Sequence, residues 1–244
     1  MKRTVALFVT LSFLIVFAGN YYFFLDKQTN REAIVIERAI DGDTIITRDG
    51  RTIRLLNINT PERNEPGYEE AKEFLQTFEN KSAFFDNRGV EKYGRSLGVV
   101  YVDNQNINRA LVEKGLAHTL LVDDKDVKEF HRAQEEAFQR KIGIWKRSPS
   151  YGCMRAEIDK KAEYVSFRSD CASNLRDWTI KDETTHSYTL TGPVEREFAL
   201  YSGEGVETSR ELYWDRGNAW NNDRDSLFVR DENGFLVLYS SYGY

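Results

Sequence analysis

The chain lacks a strong positive charge, lacks any internal repeat, and has very little of the sulfur and imidazole that hold transition metals. Its net charge is -5 over 244 residues. A dedicated, high-affinity nucleic-acid binder is usually basic, so any polyanion recognised here has to be gripped by a few placed arginines. Only three histidines and two cysteines occur. His118, His131 and His186 are scattered and there is no CxxC, which leaves zinc without a ligand pattern. No glycine-rich loop leads from a strand into a helix, and that argues against a doubly wound sheet. The acidic stretches "DRD" and "RDEN" near the C-terminus lack the loop that an EF-hand needs.

What is present begins with an uncharged run from Thr4 to Leu25, preceded by Lys2 and Arg3. As a helix it would extend about 33 Å, the thickness of a bilayer's hydrocarbon layer. Cations on the short leading side predict that the rest of the chain is exported. Residues 1–25 are therefore read as a signal anchor or transmembrane helix, so that the membrane is one expected partner. The alternative is a secreted protein, cleaved after Ala18 in "VFAG". Cys153 and Cys171 are a candidate disulfide in an exported chain. Closing that loop would stabilise the fold by about 3 kcal/mol.

After a polar linker at 26–32, a first domain is predicted at 33–147. Strand-like runs at 33–38, 43–48 and 52–58 lead it, with "RDG" at 48–50 as a tight turn. A helix at 68–80, strands at 81–86 and 96–102 around a polar loop, and helices at 106–115 and 126–145 follow. The last helix carries Phe130, Ala133, Ala137 and Phe138 on one face. Five strands and three helices in this order fit a small closed barrel. A linker at 148–155 precedes a more acidic segment, 156–244, of short strands separated by turns. That pattern predicts an antiparallel sandwich.

One strand stands out. In "RLLNINTPE", residues 54–62, the two-residue period sets Arg54 on the same face as Leu56 and Ile58, a guanidinium on a side expected to be apolar. With "DGDT" at 41–44 and "EKYGR" at 91–95, this stretch supplies what phosphodiester hydrolysis requires. Glu62 can serve as the base for a water, and Arg54 and Arg95 can hold phosphate oxygens in two-point fashion. Asp43, with oxygens from Asn59 and Thr60, can hold a hard cation, calcium by preference. Lys92 and Tyr93, between Glu91 and Arg95, are candidates for substrate contact.

Through "RAIDGDT", "RLLNINTPE", "EKYGRSLG", "NRALVEKGLAH" and "IGIW", residues 33–147 resemble the staphylococcal nuclease (thermonuclease-like) family. The resemblance implies an OB-fold barrel with three α-helices and a calcium-dependent nuclease. Its expected substrates are single-stranded or relaxed DNA and RNA, cleaved to 3'-phosphates by in-line water attack. By position, Arg54, Glu62 and Arg95 match the family's catalytic triplet, Asp43 a calcium carboxylate, and Thr60 a backbone-carbonyl ligand. Asn59 stands where the family's motif has a second calcium-binding aspartate, which predicts a weaker site. Leu121 and Asp123 stand where better-known members have nucleotide-packing tyrosines, which predicts looser substrate binding. The alternative is a catalytically silent barrel that binds nucleic acid or protein. Residues 156–244, through "NLRDWTIKDE" and "AWNNDRDSLFVRDENGFLV", resemble the lamin tail domain and so imply an immunoglobulin-like sandwich, either a docking module or a stabilising appendage. The protein is expected to be monomeric.

Overall fold

The computed structural model describes residues 31–120, 127–171 and 174–243. The apolar run at 4–25, Ala18, Leu121 and Asp123 lie outside the described residues. Among the described residues no helix is long and apolar enough to cross a membrane.

The first unit starts with β1 (Glu32–Ala39), β2 (Thr44–Thr47), β3 (Thr52–Leu55) and the two-residue β4 (Ile58–Asn59). Helix α1 (Tyr68–Gln76), β5 (Ser82–Val90), β6 (Ser96–Val102), β7 (Gln105–Asn106), α2 (Ile107–Glu113), β8 (His118–Thr119) and α3 (Val127–Arg140) complete it. Strands run in the order β3-β2-β1-β5-β6-β7, and a further β3–β6 pairing closes five of them into a barrel. That closing pair is parallel, with Arg54 opposite Leu97. A bulge between Ile36 and Arg38 rephases β1, so that Ile34, Ile36 and Ala39 all enter the core despite their uneven spacing. Gly98 is required at the closure, because a Cβ there would sit 2.2 Å from the Asp86 carbonyl oxygen.

Several sequence expectations shift by a few residues, each for a local reason. The run 52–58 is not one strand: Asn57 adopts φ 65°, and the chain turns between β3 and β4. Buried Asn108 on α2 secures that break, donating to Leu56 and Gly98 carbonyls at 2.9 and 3.0 Å and accepting from the Val100 N–H at 3.1 Å. Strand β5 continues to Val90 through a bulge at Asn87/Gly89 in what reads as a polar loop. Helix α3 stops at Arg140, where Lys141 takes φ 55°, a left-handed conformation that ends helices. Trp145 then falls in a short 3-10 turn, Gly143–Trp145.

The second unit is all β. Strands β9 (Met154–Asp159), β10 (Tyr164–Ser169), β13 (Glu197–Tyr201) and β14 (Glu211–Tyr213) form one sheet, in the order β14-β13-β10-β9. Strands β11 (Thr179–Lys181), β12 (Ser187–Thr189), β15 (Asp225–Arg230) and β16 (Leu236–Tyr242) form the other, in the order β12-β11-β15-β16. Both sheets give residues to one core, with Val165, Phe167 and Leu200 from the first and Ile180, Leu227 and Val229 from the second, around Trp178 and Trp220. The edge strand β9 escapes sequence reading because only Met154 of its six residues is fully buried. Cys153 and Cys171 are disulfide-bonded at its base.

The two units share a third core. Ala137, Ile144 and Trp145 of the first pack with Phe228 and Leu236 of the second, joined by Phe138 and Tyr239. Trp145 lies 5.0 Å from Tyr239 and 5.9 Å from Phe228, centroid to centroid. Leu236 exchanges backbone hydrogen bonds with the chain at 146–148, donating to Lys146 O and accepting from Ser148 N at 2.8 Å each. Because Phe228 bridges both units at full burial, Phe228→Ala should destabilise the protein by about 3–5 kcal/mol. Urea unfolding of the full chain, followed by tryptophan fluorescence, measures that loss.

Candidate active site

The barrel closure brings four charged stretches to one mouth. Core-facing residues of β3 are Ile53 and Leu55, and Arg54 is the outward one. The expected sharing of a face with Leu56 and Ile58 fails because β3 ends at Leu55 and the chain turns through Leu56 and Asn57 before β4. Arg54 instead lies over the barrel rim in a cage of acceptors. Its Nη1 donates to the Leu55 and Ile58 carbonyls at 2.7 and 3.0 Å, and its Nη2 donates to Asn59 Oδ1 at 3.0 Å. Nη2 also meets Asp43 Oδ2 at 3.0 Å.

Asp43 is buried and well matched. Its Oδ2 also accepts from the Thr60 N–H at 3.1 Å and the Thr60 hydroxyl at 3.0 Å, and its Oδ1 accepts from the Thr44 hydroxyl at 3.2 Å. The contact needs Gly42, since a Cβ there would lie 2.6 Å from Thr60 Oγ1. Asp41 is adjacent and accepts from the Asp43 N–H at 3.0 Å. Burial, then the Asp43 charge, raises the Asp41 carboxyl above its ordinary range.

Arg95 follows the turn after β5. Its Nε and Nη2 bind Glu91 at 2.7 and 3.1 Å, and Nη1 makes a long 3.4 Å contact with Thr44 Oγ1. Glu91 is thus a site residue that the motif reading passed over. Lys92 and Tyr93 lie between these two residues. The Lys92 ammonium sits 4.8 Å from the centre of the exposed Tyr93 ring, and neither residue lines the pocket.

Glu62 stands at the mouth after Pro61, its backbone N–H donating to Glu65 Oε2 at 2.8 Å. Desolvation raises its carboxyl above the ordinary range, with further upward pushes from Asp43, Glu65 and Asp41. Lys181 opposes them. Asp41, Asp43, Arg54, Glu62, Glu91 and Arg95 line a single pocket of about 480 Å³. Four carboxylates here face two guanidiniums: the Asp41 and Glu62 carboxyls are raised, whereas the hydrogen bond from Arg95 holds Glu91 below its ordinary range.

Asn59 lines the same pocket and is held from two sides. Its amide oxygen is bound by Arg54, and its amide nitrogen donates to the backbone carbonyls of Glu183 and Thr184 at 3.2 and 3.3 Å. Arginine only donates and a carbonyl only accepts, so the two neighbours dictate which way the amide points. His118, paired with Asn59 across β4–β8, donates from Nε2 to the same Glu183 carbonyl at 2.9 Å. Burial lowers the His118 pKa to about 3, which keeps the ring neutral. Glu183, Thr184 and Thr185 carry no recognisable motif in "DETTHS", and no sequence signal pointed to them.

A family model described as Staphylococcal nuclease homologue matches residues 52–147. A thermonuclease of Staphylococcus intermedius is 31% identical over 130 residues, 48% of this chain and 77% of its own length. Two Bacillus subtilis (strain 168) proteins, the SPbeta prophage-derived endonuclease YokF and Endonuclease YncB, are each 33% identical over 131 residues, 47% of this chain. The chain belongs to the staphylococcal nuclease family. It spans 44% and 62% of the lengths of those two Bacillus relatives.

The electrostatics of Glu62 are open to direct test. Lys181 favours its ionised form, so Lys181→Met should move the Glu62 titration to higher pH. Carbon-13 NMR of the labelled carboxyl reads the midpoint, and an unchanged or lower value would contradict the arrangement.

Proposed function

We propose that the chain is a calcium-dependent nuclease that hydrolyses phosphodiester bonds of single-stranded or relaxed DNA and RNA, leaving 3'-phosphates. The observation that carries this reading is the convergence of Glu62, Arg54, Arg95, Asp41 and Asp43 on one pocket. The family membership and the endonuclease names of the relatives support it.

In this reading Glu62 takes the proton of a water whose oxygen attacks phosphorus opposite the 5'-oxygen. The O–P bond forms as the P–O5' bond breaks. The charge on the equatorial oxygens is stabilised by Arg54 and Arg95, whose guanidiniums stay protonated throughout. The raised Glu62 carboxyl suits a base working near neutral pH better than an unperturbed glutamate would. Arg54 acts chiefly through its fixed charge, because its Nη groups are committed to the protein. Arg95 is the more available fork once phosphate displaces Glu91.

A hard cation fits the donor set. Asp41 and Asp43 offer carboxylate oxygens, Glu62 adds to the negative potential, and burial followed by the Asp43 charge raises the Asp41 carboxyl, a penalty on its ionised form that a cation would offset. Among the described residues no three histidine, cysteine, aspartate or glutamate side chains form a ready-made metal cluster. Asp41 and Asp43 would hold calcium with the backbone oxygen of Thr60 and water; the side-chain oxygens of Asp43 and Asn59 are both shared with Arg54. Calcium would supply Lewis-acid stabilisation of the phosphate and of the water.

We further propose that these domains work outside the cytoplasm, anchored through residues 1–25 or secreted. The Cys153–Cys171 bond supports an oxidising compartment. The second unit's two four-stranded sheets are compatible with an immunoglobulin-like, lamin-tail-like sandwich. The caging of Arg54 favours one competing reading, a silent nucleic-acid-binding barrel. One assay separates the two: purified protein should degrade heat-denatured DNA with calcium and stop on chelation. Glu62→Gln should lower kcat by about 10²–10⁴-fold with the circular dichroism spectrum unchanged. Intact DNA at saturating calcium and protein would overturn the nuclease reading.

A further inference from the structure

The catalytic mouth is not built by the barrel alone. Thr184 and Thr185, from the loop between β11 and β12 of the second unit, line the same pocket as Arg54, Glu62 and Arg95. This loop is held from both sides. On the barrel side, Asn59 Nδ2 reaches the carbonyls of Glu183 and Thr184, and His118 Nε2 reaches that of Glu183. On the sandwich side, the Glu183 N–H donates to Asp225 Oδ1 at 3.2 Å, and the Thr184 N–H donates to Asp182 Oδ1 at 2.8 Å.

Behind this wall the site continues. Glu62 and Thr185 also line a second groove of about 370 Å³ that runs between the units. Its sandwich side presents Thr179, Thr185, Ser187 and Thr189 with the ammonium of Lys181, and its barrel side presents Arg63. Lys181 is tied to Glu65 at 2.7 and 2.5 Å. Hydroxyls and cations suit sequence-independent contact with a sugar-phosphate backbone, and the His118 and Phe228 rings also line the groove.

We infer that the second unit is a working part of the active site: its 183–185 loop, clamped by Asn59, walls the catalytic pocket and directs a single polynucleotide strand from Glu62 into the interdomain groove. The inference rests on the nuclease reading for the chemistry at Glu62, but its own evidence is the clamp and the shared lining. Asn59 is here a positioning residue. It fixes Arg54 with its oxygen and the wall with its nitrogen, and no carboxylate could do both, because an Asp at this place would face two carbonyl oxygens with no proton to offer.

Two variants of the full chain test it. Asn59→Asp keeps an oxygen for Arg54 and loses the donor, so the amides of residues 183–186 should exchange with deuterium at least about tenfold faster. Thr185→Trp fills the passage at an exposed position. In both variants the preference for a long oligothymidylate over a thymidine dinucleotide, as the ratio of kcat/KM, should fall about tenfold, through a higher KM for the long strand. Loop exchange unchanged in Asn59→Asp, or a preference unchanged in Thr185→Trp, would overturn the inference. If the unmodified chain cleaves neither substrate, the nuclease reading fails by itself. Oligothymidylate affinity, read by fluorescence anisotropy, then decides the wall: weaker binding by Thr185→Trp supports it, and equal binding overturns it.

Discussion

The Asp43 carboxylate is the constraint on which the rest of the site depends. A buried carboxylate is costly unless its oxygens are met by donors, and Asp43 meets that demand with Arg54, both donors of Thr60 and the Thr44 hydroxyl. The three donor residues come from different places in the chain. Thr44 opens β2, Arg54 lies on β3, and Thr60 follows β4. Satisfying one charge therefore fixes where three strand ends meet, and Glu62, two residues past Thr60, is delivered to the mouth as a consequence. Arg54 extends the network to Asn59, and Asn59 carries it across to the second unit.

That second unit is consequently tied to the chemistry by more than a linker. The apolar contact around Trp145 and Phe228 supplies the bulk of the attachment, since burying aromatic side chains removes large apolar areas from water. The polar contact at Asn59 and His118 supplies the alignment. Apolar packing alone tolerates small shifts, whereas a backbone carbonyl held by two side-chain donors does not. The neutral state of His118 matters to this division. Buried and uncharged over the pH range in which Glu62 ionises, it holds the Glu183 carbonyl in place while Glu62 titrates.

The sequence made the barrel legible because its signals are local. Alternating strands, turn residues and an amphipathic last helix with Phe130, Ala133 and Ala137 inward depend on neighbours a few positions away. Arg54, Glu62, Arg95 and Asp43 were visible as a set since each sits beside a strand end or a turn. What stayed hidden is non-local or conformational. The face of Arg54 depended on Asn57 entering a left-handed conformation, which periodicity does not encode. The partners of the Asn59 amide nitrogen lie more than a hundred residues away, and they are backbone carbonyls, which carry no residue identity at all. Glu91 and Asp41 lay inside recognised motifs, yet their roles appear only once Arg95 and Asp43 are seen beside them.

The acidic balance of the chain is compatible with a polyanionic substrate because the relevant field is short-ranged. At physiological ionic strength exposed charges are screened beyond about 8 Å, so exposed acidic residues of the second unit that lie farther than that contribute little at the pocket. What a phosphate meets there is Arg54, fixed by four acceptors, and Arg95, held by Glu91. Asp41, Asp43, Glu62 and Glu91 line the same pocket, so a phosphate entering it would meet carboxylates beside the two guanidiniums. On the calcium-dependent reading proposed above, that acidity would make substrate binding conditional on a cation: burial and mutual repulsion raise the Asp41 and Glu62 carboxyls, and a cation held by Asp41 and Asp43 would offset the carboxylate charge that an incoming phosphate meets.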